Sequence, residues 1–407
     1  MSIRRRTHPL AEARRLLTIL PLLNKANSPL LDFLLRLQED HGGVIPFERY
    51  MQEALYHPGF GYYSKNIRTV GRRGDFATSA TLGEALGAAI ANWIRQNRRT
   101  CPPSPASRHS HLIEIGAGSG ELARTVLRRL GPLGRWGLHY HIVESSPILR
   151  EEQRARLPQY RVRWHDSVAE ALAAAQGRAL IFSNELIDAF PCRIYERRDQ
   201  AWHELGVQIH GSKVSEALFD RTPIRSSAFE TPYPEGQRIE VHFSAAEWLA
   251  SWAPFAREAT LLTIDYGGKA STLYDRRPRG TARAYFHQQR LGGREIYHRF
   301  GRQDITCDVN FTDLQNWGER LGWKTLSLTN QSEFLAAFGS RGKSLPLHDA
   351  MLSDLSGAGD AFKVLTQHIA GPPNPEALRD FRNFLQAPAV ESGNFLNPAK
   401  FPQKKHL

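Results

Sequence analysis

Residues 111–123 read "HLIEIGAGSGELA": a short apolar run, three glycines at alternate positions, then the first turn of a helix. Glycine-rich turns between a strand and a helix hold nucleotides, because a residue without a Cβ lets the backbone approach a ligand closely. The segments that follow alternate in the same way: "GELARTVLRRLG", "GLHYHIVESS", "PILREEQRARL", "YRVRWHD", "VAEALAAAQ" and "ALIFSNEL". This βαβαβαβ pattern of short apolar strands predicts a parallel sheet with helices on both faces.

Further out the text changes character. "ATLLTIDYGG" reads as another buried strand of that sheet and "GWKTLSLTN" as its last. Between about 190 and 260, "FPCRIYERRDQAWHELGVQIH" predicts antiparallel strands around a hydrophilic turn, and "SAAEWLASWAPFA" predicts a helix. Before the core, residues 29–56 predict two helices broken at Gly42-Gly43. Two glycine- and aromatic-rich loops follow, "HPGFGYYSKN" and "GRRGDFATSA", then the helix "LGEALGAAIANWIRQ" and the linker "NRRTCPPSPASRHS". The chain thus divides into a basic extension (1–28), a helical cap with lid loops (29–105), an α/β domain (106–370) with an insertion at about 190–260, and a tail (371–407). The tail is rich in proline and asparagine and reads as disordered.

Composition narrows the classes. The 407 residues suffice for a large core, and no apolar run reaches the roughly 18 residues of a membrane span. Three scattered cysteines, Cys101, Cys192 and Cys307, form no Cys/His cluster, which argues against a zinc site or a disulfide framework and for a reducing compartment, the cytoplasm. The net charge of +12 comes mostly from arginine. Its dispersal fits an acidic protein partner better than nucleic acid. The first thirty residues carry seven basic side chains against Glu12 alone. They read either as an ordinary basic N-terminus or as a mitochondrial transit peptide, which would move the protein to the matrix.

The glycine spacing separates the nucleotides. A dinucleotide fingerprint is G-x-G-x-x-G, with pyrophosphate resting on the helix N-terminus. Here the glycines are Gly116, Gly118 and Gly120, and Glu121 stands where the third glycine would be. With Glu114 closing the strand, two carboxylates would repel a phosphate by a few kcal/mol at an effective dielectric of about 20. S-adenosylmethionine has a sulfonium and an ammonium and no phosphate, so an acidic loop suits it. Glu144 closes the second strand where a ribose diol would sit, and Asp166 closes the third, within reach of an adenine amino group.

With these residues in view, the sequence resembles the MidA family of class I S-adenosylmethionine-dependent methyltransferases, whose mitochondrial member is the complex I assembly methyltransferase. The likeness runs over about residues 45–370 and includes "FERYMQEALYHPGFGYY", "GRRGDFATS", "IEIGAGSGELA", "IVESSPILREEQ", "SNELIDAFPCRIYE", "IDYG", "GTARAY", "QDITCDVNF" and "AFKVL". Ala80 and Thr81 depart from the family's usual threonine-serine-proline-glutamate run, as does "FHQQR" from its arginine- and histidine-rich text. The resemblance implies a Rossmann-like sheet with S-adenosylmethionine as cofactor. Asp75, Glu114, Gly116, Gly118, Gly120, Glu144, Asp166 and Asn184 are its expected cofactor set, without a metal. It further implies arginine methylation on a protein partner of the respiratory complex I subunit kind.

Methyl transfer asks an enzyme to align donor and acceptor and to manage the acceptor's proton. A guanidinium acceptor calls for paired carboxylates. Glu185 and Asp188, at the carboxyl end of the fourth strand, are the expected catalytic pair. Glu196 is a third candidate, resembling the two-glutamate hairpin of protein arginine methyltransferases, though a solvated strand residue is the plainer reading. Asp75, Thr78 and Ser79 suit a lid, Tyr62 and Tyr63 could wall the pocket, and Asp304 and Asp308 read as helix caps. Two alternatives stay open: a small-molecule or RNA methyltransferase, against which "SNEL" replaces an N-P-P-aromatic tetrad, and a non-catalytic assembly factor on the same fold. Oligomeric state is not legible.

Overall fold

The computed structural model describes residues 17–18, 28–66, 84–98, 109–211, 213–220, 225–287, 289–339 and 358–386. Most of the basic extension, the loop bearing Asp75, Thr78 and Ser79, Cys101, and residues 387–407 lie outside them.

Seven strands run side by side through the main sheet, with the short Val309–Asn310 added at the end of one of them: β1 (Ser110–Ile115), β2 (Leu138–Val143), β3 (Val162–His165), β4 (Arg178–Asn184), β5 (Glu258–Gly268), which carries the addition, β6 (Lys324–Asn330) and β7 (Phe362–Ile369). Their order across the sheet is 3-2-1-4-5-7-6, the first five parallel and β7 antiparallel to both its neighbours. Ile113, Ile115 and Ile181 face one apolar cluster, and Leu112, Leu180 and Phe182 another. Burial on both faces is why these strands read as continuous apolar runs rather than alternating ones.

The structure corrects two expectations. "GWKTLSLTN" is an edge strand, and the last strand among the described residues is β7, inserted between it and β5. The tail is not disordered throughout: Pro375–Gln386 is a helix whose Phe381 and Leu385 are buried in the core beside Trp252 and Trp317. Composition misled because the amphipathic run "ALRDFRNFL" is short and sits between proline-rich segments.

The antiparallel strands and the helix expected between about 190 and 260 are present. Arg193–Arg198 and Ala201–His210 pair through a two-residue turn at Asp199 and Gln200, both at positive φ, and Lys213–Phe219 and Arg238–Val241 extend the sheet before the helix Phe243–Trp252. Ile45–Pro46 of the N-terminal cap adds to the same sheet. Leu37, Phe47, Tyr50 and Met51 of the cap helices Pro29–Asp40 and Phe47–Tyr56 pack with Leu205 and Val207 in one cluster. Cap and insertion therefore form one layer. A third sheet, of strands Arg283–Phe286, Gln289–Gly292 and Asp304–Thr306, lies beside the end of β4.

Strand order reverses between β1 and β4, the switch point at which open α/β sheets hold ligands. One local requirement keeps this edge in shape. Gly267, at φ 151°, lies so close to the segment Val309–Asn310 that a Cβ would come within 2.0 Å of the Val309 carbonyl oxygen.

Candidate active site

A cavity of about 760 Å3 opens at that switch point, within the range for sites that enclose a whole small ligand. Its floor comes from the turns after β1 and β4, one side from the ends of β2 and β3, and its far wall from Tyr56, Tyr63, Tyr285, Asp304 and Thr306.

Turning from β1 into the helix Glu121–Arg135 takes three residues at positive φ, Gly116, Gly118 and Gly120. At Gly116 a Cβ would sit 2.8 Å from Leu186. Gly116 and Gly118 line the cavity, while Gly120 backs onto Gln153. Glu114, 2% exposed, accepts the Tyr140 hydroxyl at 2.6 Å. Burial raises its pKa to about 7, against the pull of that hydrogen bond. Glu144 is also buried and held at both oxygens, by the Ser146 amide at 2.9 Å and the Gln153 amide group at 3.0 Å. Asp166 stands exposed at the rim, 2.6 Å from Arg150.

Gln153 is a residue the sequence reading missed. Fully buried, it donates to the Gly118 carbonyl at 2.8 Å and to Glu144, and accepts from the Trp164 indole at 2.9 Å, tying the glycine turn to the second strand's carboxylate. A wholly buried glutamine within "LREEQRAR" has no sequence signal, because its neighbours on the helix are charged. The electrostatic reading of Glu121 also changes: Arg124 pairs with it and Arg156 stands 3.7 Å away. Its charge is answered locally, so the acidity of the loop rests on Glu114 and Glu144.

On the other side, Glu185 adopts φ 51°, a left-handed conformation uncommon outside glycine, and its amide donates to the Ile264 carbonyl at 2.9 Å. Asn184 donates to Glu185 at 3.2 Å, and its own Oδ1 is buried without a partner among the described residues. Asp188 is buried, with Oδ1 unpartnered among the described residues. Burial raises its pKa to about 6, opposed chiefly by the Arg283 guanidinium. Asp265, near the end of β5, braces this turn. Its Oδ2 accepts the amides of Leu186, Ile187 and Asp188 at 3.1, 2.8 and 3.3 Å, and Oδ1 that of Tyr266 at 2.9 Å, so it shapes the turn that presents Glu185 and Asp188.

Glu196 is not brought to the cavity. Both its oxygens are engaged, by Arg198 at 2.5 Å and Arg238 at 2.7 Å, inside the insertion sheet. Neither Asp304 nor Asp308 caps a helix; Asn310 caps Phe311–Arg320. Asp308 pairs with Arg277 and Arg283, and Asp304 lines the cavity, where burial raises its pKa to about 7. Tyr63 lies on the cavity wall and Tyr62 in the core behind it.

The cavity's chemistry is that of a site for a polar, cationic, phosphate-free nucleoside: buried carboxylates at two strand ends, a glycine turn, and the unpartnered Ser119 Oγ and Asn184 Oδ1. The family described as "Putative S-adenosyl-L-methionine-dependent methyltransferase" matches residues 85–329, more than half the chain. The protein belongs to this family. The expected cofactor, S-adenosylmethionine, therefore holds, and the protein is a methyltransferase in class. Similar proteins include the "Protein arginine methyltransferase NDUFAF7, mitochondrial" of Danio rerio, 27% identical over 67% of this chain and 68% of its own length. The NDUFAF7 homolog of Drosophila melanogaster is 28% identical over 69% and 68%. A COG1565 superfamily structure from Burkholderia thailandensis, bound to S-adenosyl-homocysteine, superposes with TM-score 0.70 at 29% identity, covering 83% of this chain and 91% of that one.

Proposed function

We propose that this methyltransferase modifies arginine on a protein partner. The observation that carries the reading is the acceptor side of the cavity: Glu185, Asp188 and Asp304 converge there, two of them buried, among the rings of Tyr56, Tyr63, Tyr266 and Tyr285. A planar cation with several donors satisfies carboxylates and packs on aromatic rings at once. The names of the relatives support the same acceptor.

In this reading the cofactor lies across the switch point. Glu144 would take the ribose hydroxyls, Asp166 the adenine amino group, and Gly116 and Gly118 with Glu114 and Asn184 the methionine end, while Gly120, turned toward Gln153, would only shape the loop. When bound, S-adenosylmethionine supplies an electrophilic methyl group on sulfonium. The chain's own part is to exclude water, hold the acceptor through Glu185 and Asp188, and receive the proton its nitrogen gives up. No helix among the described residues is long and apolar enough to cross a membrane.

The test is to incubate the purified protein with methyl-labelled S-adenosylmethionine and lysate of its host lacking the gene, then hydrolyse the labelled protein to amino acids. Labelled methylarginine is the expected product. Label in another amino acid, in RNA or in a small molecule would overturn the reading.

A further inference from the structure

The third sheet was invisible as a site in the sequence, yet it supplies the cavity's far wall. Tyr285 pairs with Asp304 and Arg283 with Thr306 across neighbouring strands, so these four side chains share one face. Ala284 and Ile305, one residue out of phase, pack into the cap core. The strand carrying Asp304 is fixed to the opposite carboxylate through backbone: the Cys307 amide donates to the Asp188 carbonyl at 3.0 Å.

Charge and hydrogen bonding on this face are unbalanced. Arg283 is committed to Asp308 at 2.5 Å and to the Tyr285 hydroxyl at 3.1 Å. Asp304 accepts the Tyr63 hydroxyl at Oδ1, 2.8 Å away, which leaves Oδ2 without a partner among the described residues. Asp188 Oδ1 and Thr306 Oγ1, both buried and lining the cavity, have no partner either. A buried carboxylate oxygen without a donor is costly, and two such oxygens facing one cavity call for a cation with several N–H groups.

We propose that Asp304 is the second acceptor-binding carboxylate: with Asp188 it grips the acceptor cation from two sides, Tyr63 holds it in position, and it takes the proton released on transfer. This deepens, and rests on, the arginine reading. As the methyl passes from sulfonium to nitrogen, the sulfur keeps the electron pair of the broken bond and becomes a neutral thioether. The nitrogen's lone pair forms the new bond, and one N–H proton passes to Asp304, which returns it to water. A carboxyl with a pKa near 7 can both accept and release that proton at neutral pH. Burial sets its titration first, Asp188 and Glu185 after β4 raise it further, and the Tyr63 hydroxyl and Arg283 lower it, while Tyr56 of the cap and Tyr285 on the adjoining strand also face the site.

Two variants test this. Asp304→Asn should keep S-adenosyl-homocysteine affinity within about two-fold by calorimetry while kcat/KM for the labelled host protein falls about 100-fold or more. Tyr63→Phe removes a hydrogen bond that lowers the Asp304 pKa, so the acid limb of its pH–rate profile should move to higher pH, with activity recovered at alkaline pH. Wild-type kcat/KM in Asp304→Asn would overturn the proposal, as would parallel loss of cofactor affinity. An unmoved acid limb in Tyr63→Phe would remove the tyrosine from it. The amino acid that carries the label tests the arginine reading separately, since the effect of Asp304→Asn is read on whichever acceptor is labelled.

Discussion

Five histidines form a row across one face of β1 to β3, from His109 just before β1 to His165 at the carboxyl end of β3, next to Asp166. His109 stacks on His139 at 4.4 Å, His111 Nδ1 lies 3.0 Å from His141 Nε2, and His141 Nδ1 lies 2.8 Å from His165 Nε2. Burial lowers the pKa of His111 to about 4 and of His141 to about 3, with neighbouring imidazoles and Arg163 adding to the effect. The sign follows from comparing states. Below about pH 6.5 the unfolded chain protonates these rings and the folded protein does not, so stability falls as pH drops from 6.5 toward 4. At pH 5 each proton favours the unfolded chain by about 2 kcal/mol, or about 4 kcal/mol for the two rings. Replacing both by leucine removes the His111–His141 pair together and leaves the half-buried His165 ring to bond water, which is close to neutral where packing is kept. Urea unfolding of wild type and His111→Leu/His141→Leu should give similar stabilities at pH 7.5, with the variant more stable by roughly 2 to 4 kcal/mol at pH 5. Buried carboxylates such as Asp188 and Asp304 titrate alike in both proteins and cancel in the difference. Parallel stability curves over that range would refute the reasoning.

Three other expectations are direct. Glu144→Ala, which removes the acceptor for the Ser146 amide and Gln153 and the proposed acceptor for a ribose diol, should weaken S-adenosyl-homocysteine binding by roughly 10- to 100-fold in calorimetry. Glu185→Gln should leave cofactor affinity nearly unchanged and lower turnover about 100-fold; wild-type turnover would remove Glu185 from the acceptor site. Phe381→Ala, in the helix the sequence reading left as tail, should cost about 3 to 5 kcal/mol in denaturant unfolding, whereas a disordered tail would tolerate it without change.

The sequence by itself determined the parallel sheet, its glycine turn and the carboxylates at its strand ends, because those features are local: a buried strand, a turn at positive φ and the next helix lie within a dozen residues of one another. It also carried Glu185 and Asp188, three residues apart on one turn. Tertiary structure decided the rest. Asp265 and the amides it binds are separated by some 77 to 79 positions in the chain, and Tyr63 and Asp304 by 241. Nothing local distinguishes an aspartate that caps a helix from one whose strand the fold carries to a cavity wall. Gln153 and the histidine row share this property. Their character comes from burial and from partners on other strands, and a side chain's chemistry is set by what surrounds it once the chain has closed.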